Sequence, residues 1–160
     1  MIDPLTIAYI VIIALLVACS AFFSMSETAF TSASQVRLKK MAMDGDKRAE
    51  RAVMILEDYD KFLTTILVGN NLVNIAATSI ATMMFAILLG QELGSVASTV
   101  VMTLVVLICG EITPKTLAKR HPERYVLKIV SAVHAIEIIF TPLSWLFGKL
   151  TSAIGNRVGG

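Results

Sequence analysis

Oxygen donors recur at helical spacing inside three otherwise apolar stretches. Through "SMSETAF", Ser24, Glu27 and Thr28 continue a stripe that starts at Ser20 and ends at Thr31, at i, i+4, i+7, i+8 and i+11. In "VGNNLVN", Asn70 and Asn74 share a face with Thr78, Asn71 lies beside it, and Gly69 removes a side chain where backbone can approach closely. In "GEITPK", Pro114 has no N–H for the carbonyl of Gly110, four residues back, which leaves that oxygen free beside the carboxylate of Glu111. Carboxylate, amide, hydroxyl and carbonyl oxygens are all hard donors. Such a set suits magnesium, calcium or sodium better than zinc or copper.

Each of these residues also has an ordinary reading. Single Ser and Thr residues in membrane helices mostly bond their own i−4 carbonyl or a neighbouring helix, and that is the expectation for Ser20, Thr64, Thr65, Ser79, Thr82 and Thr103. Three asparagines in one helical turn exceed what packing requires, because an amide is costly to bury. Glu111 could pair with Lys115, four residues on, and Glu27 sits near a predicted helix end, where capping or pairing with a first-loop base competes with a cation role. His134 and Glu137 stand at i and i+3 without further ligands and read as structural or interfacial. Gly90 to Gly94 matches GxxxG but straddles a predicted turn.

The elements that must position these groups are membrane helices. Of 160 residues 56% are hydrophobic and 16% charged, with a mean hydropathy of +0.75, whereas soluble domains carry about 25% charged residues. The fold class is therefore all-α integral membrane. Three stretches reach the length that crosses a hydrocarbon core, about 5–30, 62–89 and 93–112, with cytoplasmic amphipathic helices over 31–61 and a juxtamembrane or partly inserted helix over 121–150. Lys128, His134, Glu137, Pro142 and Lys149 are what hold that last helix at the interface. Residues 1–150 form one transmembrane ion-transport domain and 151–160 a C-terminal tail.

Basic residues orient the chain. Arg37, Lys39, Lys40, Lys47, Arg48, Arg51 and Lys61 lie between the first two spans, "GQELGS" between the next two has none, and Lys115, Lys119, Arg120, Arg124 and Lys128 follow the third. Basic loops stay inside, so the N-terminus is outside and the C-terminus cytoplasmic. Between the spans, Asp44 and Gly45 form a turn and Asp46 caps a helix whose Ala49, Ala52, Val53 and Leu56 make one apolar face.

A net charge of +2, with acidic and basic residues interleaved, excludes nucleic acid as a partner. Cys19 and Cys109 lie in apolar runs and read as small buried hydrophobes rather than a disulfide framework. The N-terminal apolar run lacks a basic start and is too long for a signal peptide. Motifs for hydrolysis or phosphate transfer are absent, and no nucleophile and base can be assembled, so the expectation is not an enzyme.

"SMSETAF", "VGNNLVN" and "GEITPK", in that order and at these separations, resemble the transmembrane domain of the CNNM/CorC family of magnesium transporters. The resemblance covers nearly the whole chain. It implies three membrane helices with a cytoplasmic juxtamembrane belt, a homodimer in the cell membrane, and sodium-driven Mg2+ export, with Na+ as the coupling ion. It also implies a cytoplasmic CBS-domain pair that binds adenine nucleotide and lies outside these residues. By motif, the family's intramembrane magnesium site carries over to Ser24, Gly69, Asn70, Asn74, Gly110 and Glu111; the stripe adds Thr28, and Glu27, Asn71 and Pro114 support it. The expected mechanism is alternating access. The rival reading is a membrane-anchored Mg2+ sensor or scaffold for a cytoplasmic regulatory domain, and a third is a selective channel, whose flux needs no sodium gradient.

Overall fold

The computed structural model describes the backbone of residues 3–158 and the side chains through Leu143 together with those of Trp145, Leu146, Phe147 and Lys149. Helices run in the order α1 Pro4–Ser32, α2 Gln35–Met43, α3 Lys47–Glu57, α4 Tyr59–Leu89, α5 Gln91–Val105, a π-helical segment Val106–Ile112, α6 Thr113–Arg120 and α7 Pro122–Val158. There is no strand among the described residues. Four segments are long and apolar enough to cross a membrane, Pro4–Ser32, Tyr59–Leu89, Gln91–Arg120 and Pro122–Leu143, where the sequence reading has three and an interfacial fourth. Large apolar side chains such as Leu5, Ile75, Leu93 and Val96 point outward along these helices, as a hydrocarbon surround requires.

The first, second and third of these segments pack as a bundle, and α2 and α3 lie across its charged end. Turn chemistry sets the corners. Gly45, at φ +96°, closes α2, and Gly90, at φ +83°, closes α4 and opens α5 with no intervening loop. A Cβ on Gly94 would sit 2.6 Å from the Phe85 carbonyl oxygen and 2.7 Å from Ala86 Cα, so α5 lies on α4 at backbone contact. Gly94 is therefore a packing glycine inside α5, not part of the predicted turn. Thr82 Oγ1 and Ser98 Oγ, 3.0 Å apart, add a hydrogen bond across the same pair.

At the charged end, Asp46 Oδ1 accepts the N–H groups of Arg48 (2.8 Å) and Ala49 (3.4 Å) and starts α3. Its face buries Ala49, Ala52 and Ile55, with Val53 and Leu56 half-buried. The Arg48 N–H, above all, holds the Asp46 carboxyl below its ordinary value of 3.8. A depressed folded-state value means that the cap contributes fully above that ordinary value and is lost as pH falls through the lower folded one. Asp46→Ala is expected to speed amide exchange at Arg48 and Ala49 at neutral pH, and the wild type is expected to show the same fraying only below about pH 4, which hydrogen-exchange mass spectrometry resolves.

α7 departs most from expectation. It continues through Pro142 to Val158, so the predicted 151–160 tail is helical for most of its length. Pro142 is exposed and so is Ile138, whose carbonyl loses the N–H that the proline lacks, so the break falls on the outer side of the helix. Val126, Val130 and Val133 are fully buried in a cluster with Phe30, Leu38, Ala52, Ile55, Phe62 and Ile66. Arg51 Nη1 also donates to Ser131 Oγ at 3.4 Å. The first half of α7 thus packs on the charged amphipathic layer and the base of α4.

A second apolar cluster of Val17, Ala77, Ala81 and Met102 lies toward the Gly90 end of the bundle. On α1 the two clusters are separated by Ser20 and on α4 by Asn70 and Asn74. Polar groups are therefore sandwiched between two apolar plugs, near the middle of both helices.

Candidate cation site

The second and third motifs meet α1 in this gap, at Ser20. Ser20 Oγ donates to Asn70 Oδ1 at 2.9 Å, joining α1 to α4. A Cβ on Gly110 would lie 2.9 Å from the same Ser20 Oγ, so the third segment approaches α1 at its π-helical turn through a position that admits no side chain. Asn74 Nδ2 donates to Asn70 Oδ1 at 3.5 Å. Gly69 does for α4 and α1 what Gly110 does for the third segment, because a Cβ there would strike the Phe23 ring at 2.5 Å.

Two buried oxygens have no hydrogen-bond partner among the described residues, Ser24 Oγ on α1 and Asn74 Oδ1 on α4. Ser24 lies one helical turn beyond Ser20 and is fully buried. An unsatisfied buried polar atom costs about 1–3 kcal/mol, and two on facing helices beside a third helix with its own backbone irregularity are what an oxygen-coordinated ligand would repay.

The π-helical turn supplies that irregularity. The Thr113 N–H donates to the Ile108 carbonyl, five residues back. The next position is Pro114, which has no N–H for Gly110 (four back) or for Cys109 (five back). The prediction from "GEITPK" named only Gly110. The wider register also exposes Cys109 to this loss, and the irregularity spans seven residues. Glu111, half-buried, follows Gly110 on the turn, and none of the ion pairs among the described residues engages it. A carboxylate at membrane depth without a counter-charge is costly.

Lys115 is paired elsewhere. Its Nζ lies 3.1 Å from Glu27 Oε2, tying α6 to α1 on the charged side of the gap. Glu27 thus belongs to an inter-helix ion pair, not to a pair with a first-loop base, and Lys115 leaves Glu111 free. A double-mutant cycle on thermal unfolding in detergent checks the pair. Lys115→Gln and Glu27→Gln are expected to couple by about 1 kcal/mol, with the double variant recovering part of what Lys115→Gln loses.

The structure brings Asn70, Asn74 and Gly110 together through Ser20, and places Ser24 on the same buried face. Thr28, two turns from Ser20, is buried but joins none of these hydrogen bonds. Asn71 is exposed on the outer face of α4, and none of these hydrogen bonds includes it. Ser20, for which the sequence predicts an ordinary backbone bond, instead links all three segments through its Oγ; its place at the head of the stripe is the signal for that role. Thr82 and Thr103 do bond carbonyls four residues back, as expected. Cys19 and Cys109 are free thiols on the outer surface rather than in the core. An apolar cavity of about 380 Å3, lined by Val17, Ala81, Met102, Val105 and Cys109 among others, adjoins the gap on the Gly90 side.

The family profile described as CNNM, the cyclin M transmembrane N-terminal domain, matches residues 10–160. The chain belongs to the CNNM family. The CNNM domain is 38% identical over 156 residues to a UPF0053 protein of Haemophilus influenzae, covering 98% of this chain and 37% of that protein. It is 34% identical to the UPF0053 inner membrane protein YfjD of Escherichia coli, covering 88% of this chain and 32% of YfjD. It is also 32% identical to the polyamine export protein of E. coli, over 91% of this chain and 35% of the exporter. The CNNM domain therefore spans about a third of the length of the curated relatives it matches. Its apolar helices and an inner-membrane relative identify a multi-pass membrane protein.

Proposed function

We propose that this domain is a transporter rather than an enzyme, exporting Mg2+ by alternating access through the gap between α1, α4 and the π-helical turn, with Na+ as the coupling ion. The observation that carries the reading is the pair of buried, unpartnered oxygens, Ser24 Oγ and Asn74 Oδ1, on the two helices that face Gly110 and Glu111. Asn70 and the Gly110 carbonyl complete an all-oxygen set with one carboxylate. No three His, Cys, Asp or Glu residues cluster among the described residues, so the neutral oxygens carry most of the coordination that Mg2+ takes at about 2.0–2.1 Å. One carboxylate against a divalent ion leaves net positive charge, which favours release over trapping. The close glycine contacts at Gly69 and Gly110 and the weakened helix at Pro114 are the candidate moving parts.

In this reading three helices cross the bilayer, the N-terminus is outside, and α2, α3 and the first half of α7 form a cytoplasmic belt. The burial of Val126, Val130 and Val133 against charged α3 supports keeping α7 in that belt. The protein works as a homodimer, and the amide of Asn71, exposed at membrane depth, favours a second copy over lipid on the outer face of α4. A cytoplasmic CBS-domain pair follows in the full protein and regulates it.

A second substrate class has an observation in its favour. The Lys115 ammonium sits on Glu27 beside the gap, so this wall accommodates a primary ammonium, and a relative is named a polyamine export protein. Efflux from proteoliposomes of the full-length protein tests both. Mg2+ efflux driven by an opposing Na+ gradient supports the leading reading; putrescine efflux without Mg2+ efflux replaces the substrate; Mg2+ binding without any flux overturns transport in favour of a sensor.

A further inference from the structure

We propose that a cavity at the charged end of the bundle, separate from the cation gap, is a binding site for a phosphate group. It has a volume of about 600 Å3 and lies where the corner between α1 and α2 meets the corner between α6 and α7. Its wall includes Ser34, Arg37, Arg120, His121, Glu123 and Arg124. Three guanidiniums on one concave surface are the usual means of holding a phosphate, because their planar donor forks match its oxygens.

The charges are unevenly matched. Glu123 Oε1 is occupied: it accepts the Ser34 N–H at 3.2 Å and lies 3.6 Å from Arg37 Nη1. Arg120 and Arg124 are exposed, and neither has a carboxylate partner among the described residues. The helix break at His121 (φ −144°, ψ 65°) turns the chain between them, so they flank the corner and do not follow one straight helix face. The same corner starts α7, whose N-terminal end adds positive potential.

Depth matters as much as charge. α1 has 29 residues and the third segment 30, each about 45 Å long at 1.5 Å per residue, against a hydrocarbon core of about 30 Å. With the bundle centred on that core, Ser32, Ser34 and Arg120 come at the level of the headgroups. On the orientation proposed above this is the inner leaflet, where acidic phospholipids concentrate and basic pockets between helices hold their headgroups. The phosphate has two sources, an acidic phospholipid headgroup or a soluble phosphate from the cytoplasm.

Native mass spectrometry of the detergent-purified protein separates them, titrated with phosphatidylglycerol, phosphatidylcholine or inorganic phosphate. Phosphatidylglycerol is expected to bind in preference to phosphatidylcholine. Arg120→Gln with Arg124→Gln is expected to weaken it about thirtyfold, and Lys39→Gln with Lys40→Gln to leave it unchanged. Glu123→Gln, which releases Arg37 and can still accept the Ser34 N–H, is expected to tighten binding about fivefold, a gain that misfolding cannot produce. Inorganic phosphate binding with the same dependence on Arg120 and Arg124 supports the site with a soluble ligand. No preference for phosphatidylglycerol and no phosphate binding, or a preference that survives Arg120→Gln with Arg124→Gln, overturns the proposal. The readout is binding without flux, so it stands or falls separately from transport.

Discussion

Glu111→Gln is expected to lower Mg2+ transport by more than about a hundredfold while leaving the helices and their packing in place. The substitution keeps the shape of the side chain and removes the one negative charge of the proposed site. Outer-sphere partners of bound metals cost up to about a hundredfold when removed, and the group supplying the charge should cost more. Glu111 makes no ion pair among the described residues, so its neutralisation breaks no internal salt bridge. It relieves an uncompensated carboxylate at membrane depth. The apo protein should therefore melt at the same temperature or higher as Glu111→Gln, while magnesium-dependent stabilisation disappears. Transport assays alongside thermal unfolding with and without Mg2+ read out both effects.

Gly110→Ala is expected to have the next largest effect. Its Cβ would stand 2.9 Å from Ser20 Oγ and 3.4 Å from Ser20 Cβ, and Ser20 is the residue that holds Asn70 at 2.9 Å. The added methyl must push the π-helical turn away from α1 or turn Ser20 off Asn70. A transport loss of about ten- to a hundredfold follows from such displacement of a supporting partner. The stability change should be smaller, because overpacking costs about 1–3 kcal/mol and alanine gains up to about 1 kcal/mol over glycine in a helix. Ser20→Gly in the same chain removes the atoms that collide and should recover part of the flux. Normal flux from Gly110→Ala alone would mean that close approach at this turn is unnecessary.

Much of this arrangement was legible in the residues because its signals are local. Asn70 and Asn74 are one helical turn apart, Ser24 continues from Ser20, and Pro114 announces a missing donor to Gly110 whatever the tertiary fold. What was not legible depends on contacts between segments. A lone Ser20 in an apolar helix looks like any residue that bonds its own backbone, and only the nearness of Asn70 and Gly110 gives it another role. Lys115 has Glu111 at the favourable local spacing, yet it reaches across to Glu27 on α1. Asn71 shares a turn with Asn70 and Asn74 but is rotated outward. The extent of the π-helical turn reflects how the third segment fits against α1, and spacing in one chain cannot encode that. The continuation of α7 through Pro142 is of the same kind, since a proline on the exposed side bends a helix that packing elsewhere sustains.

The proposed transport requires that Ser24, Asn70, Asn74, Gly110 and Glu111 hold one cation. Isothermal titration of Mg2+ into the purified wild-type domain, Ser24→Ala and Glu111→Gln tests it most directly. The expected result is one Mg2+ site per chain, weakened in Ser24→Ala and absent in Glu111→Gln. Wild-type affinity in both variants would contradict it.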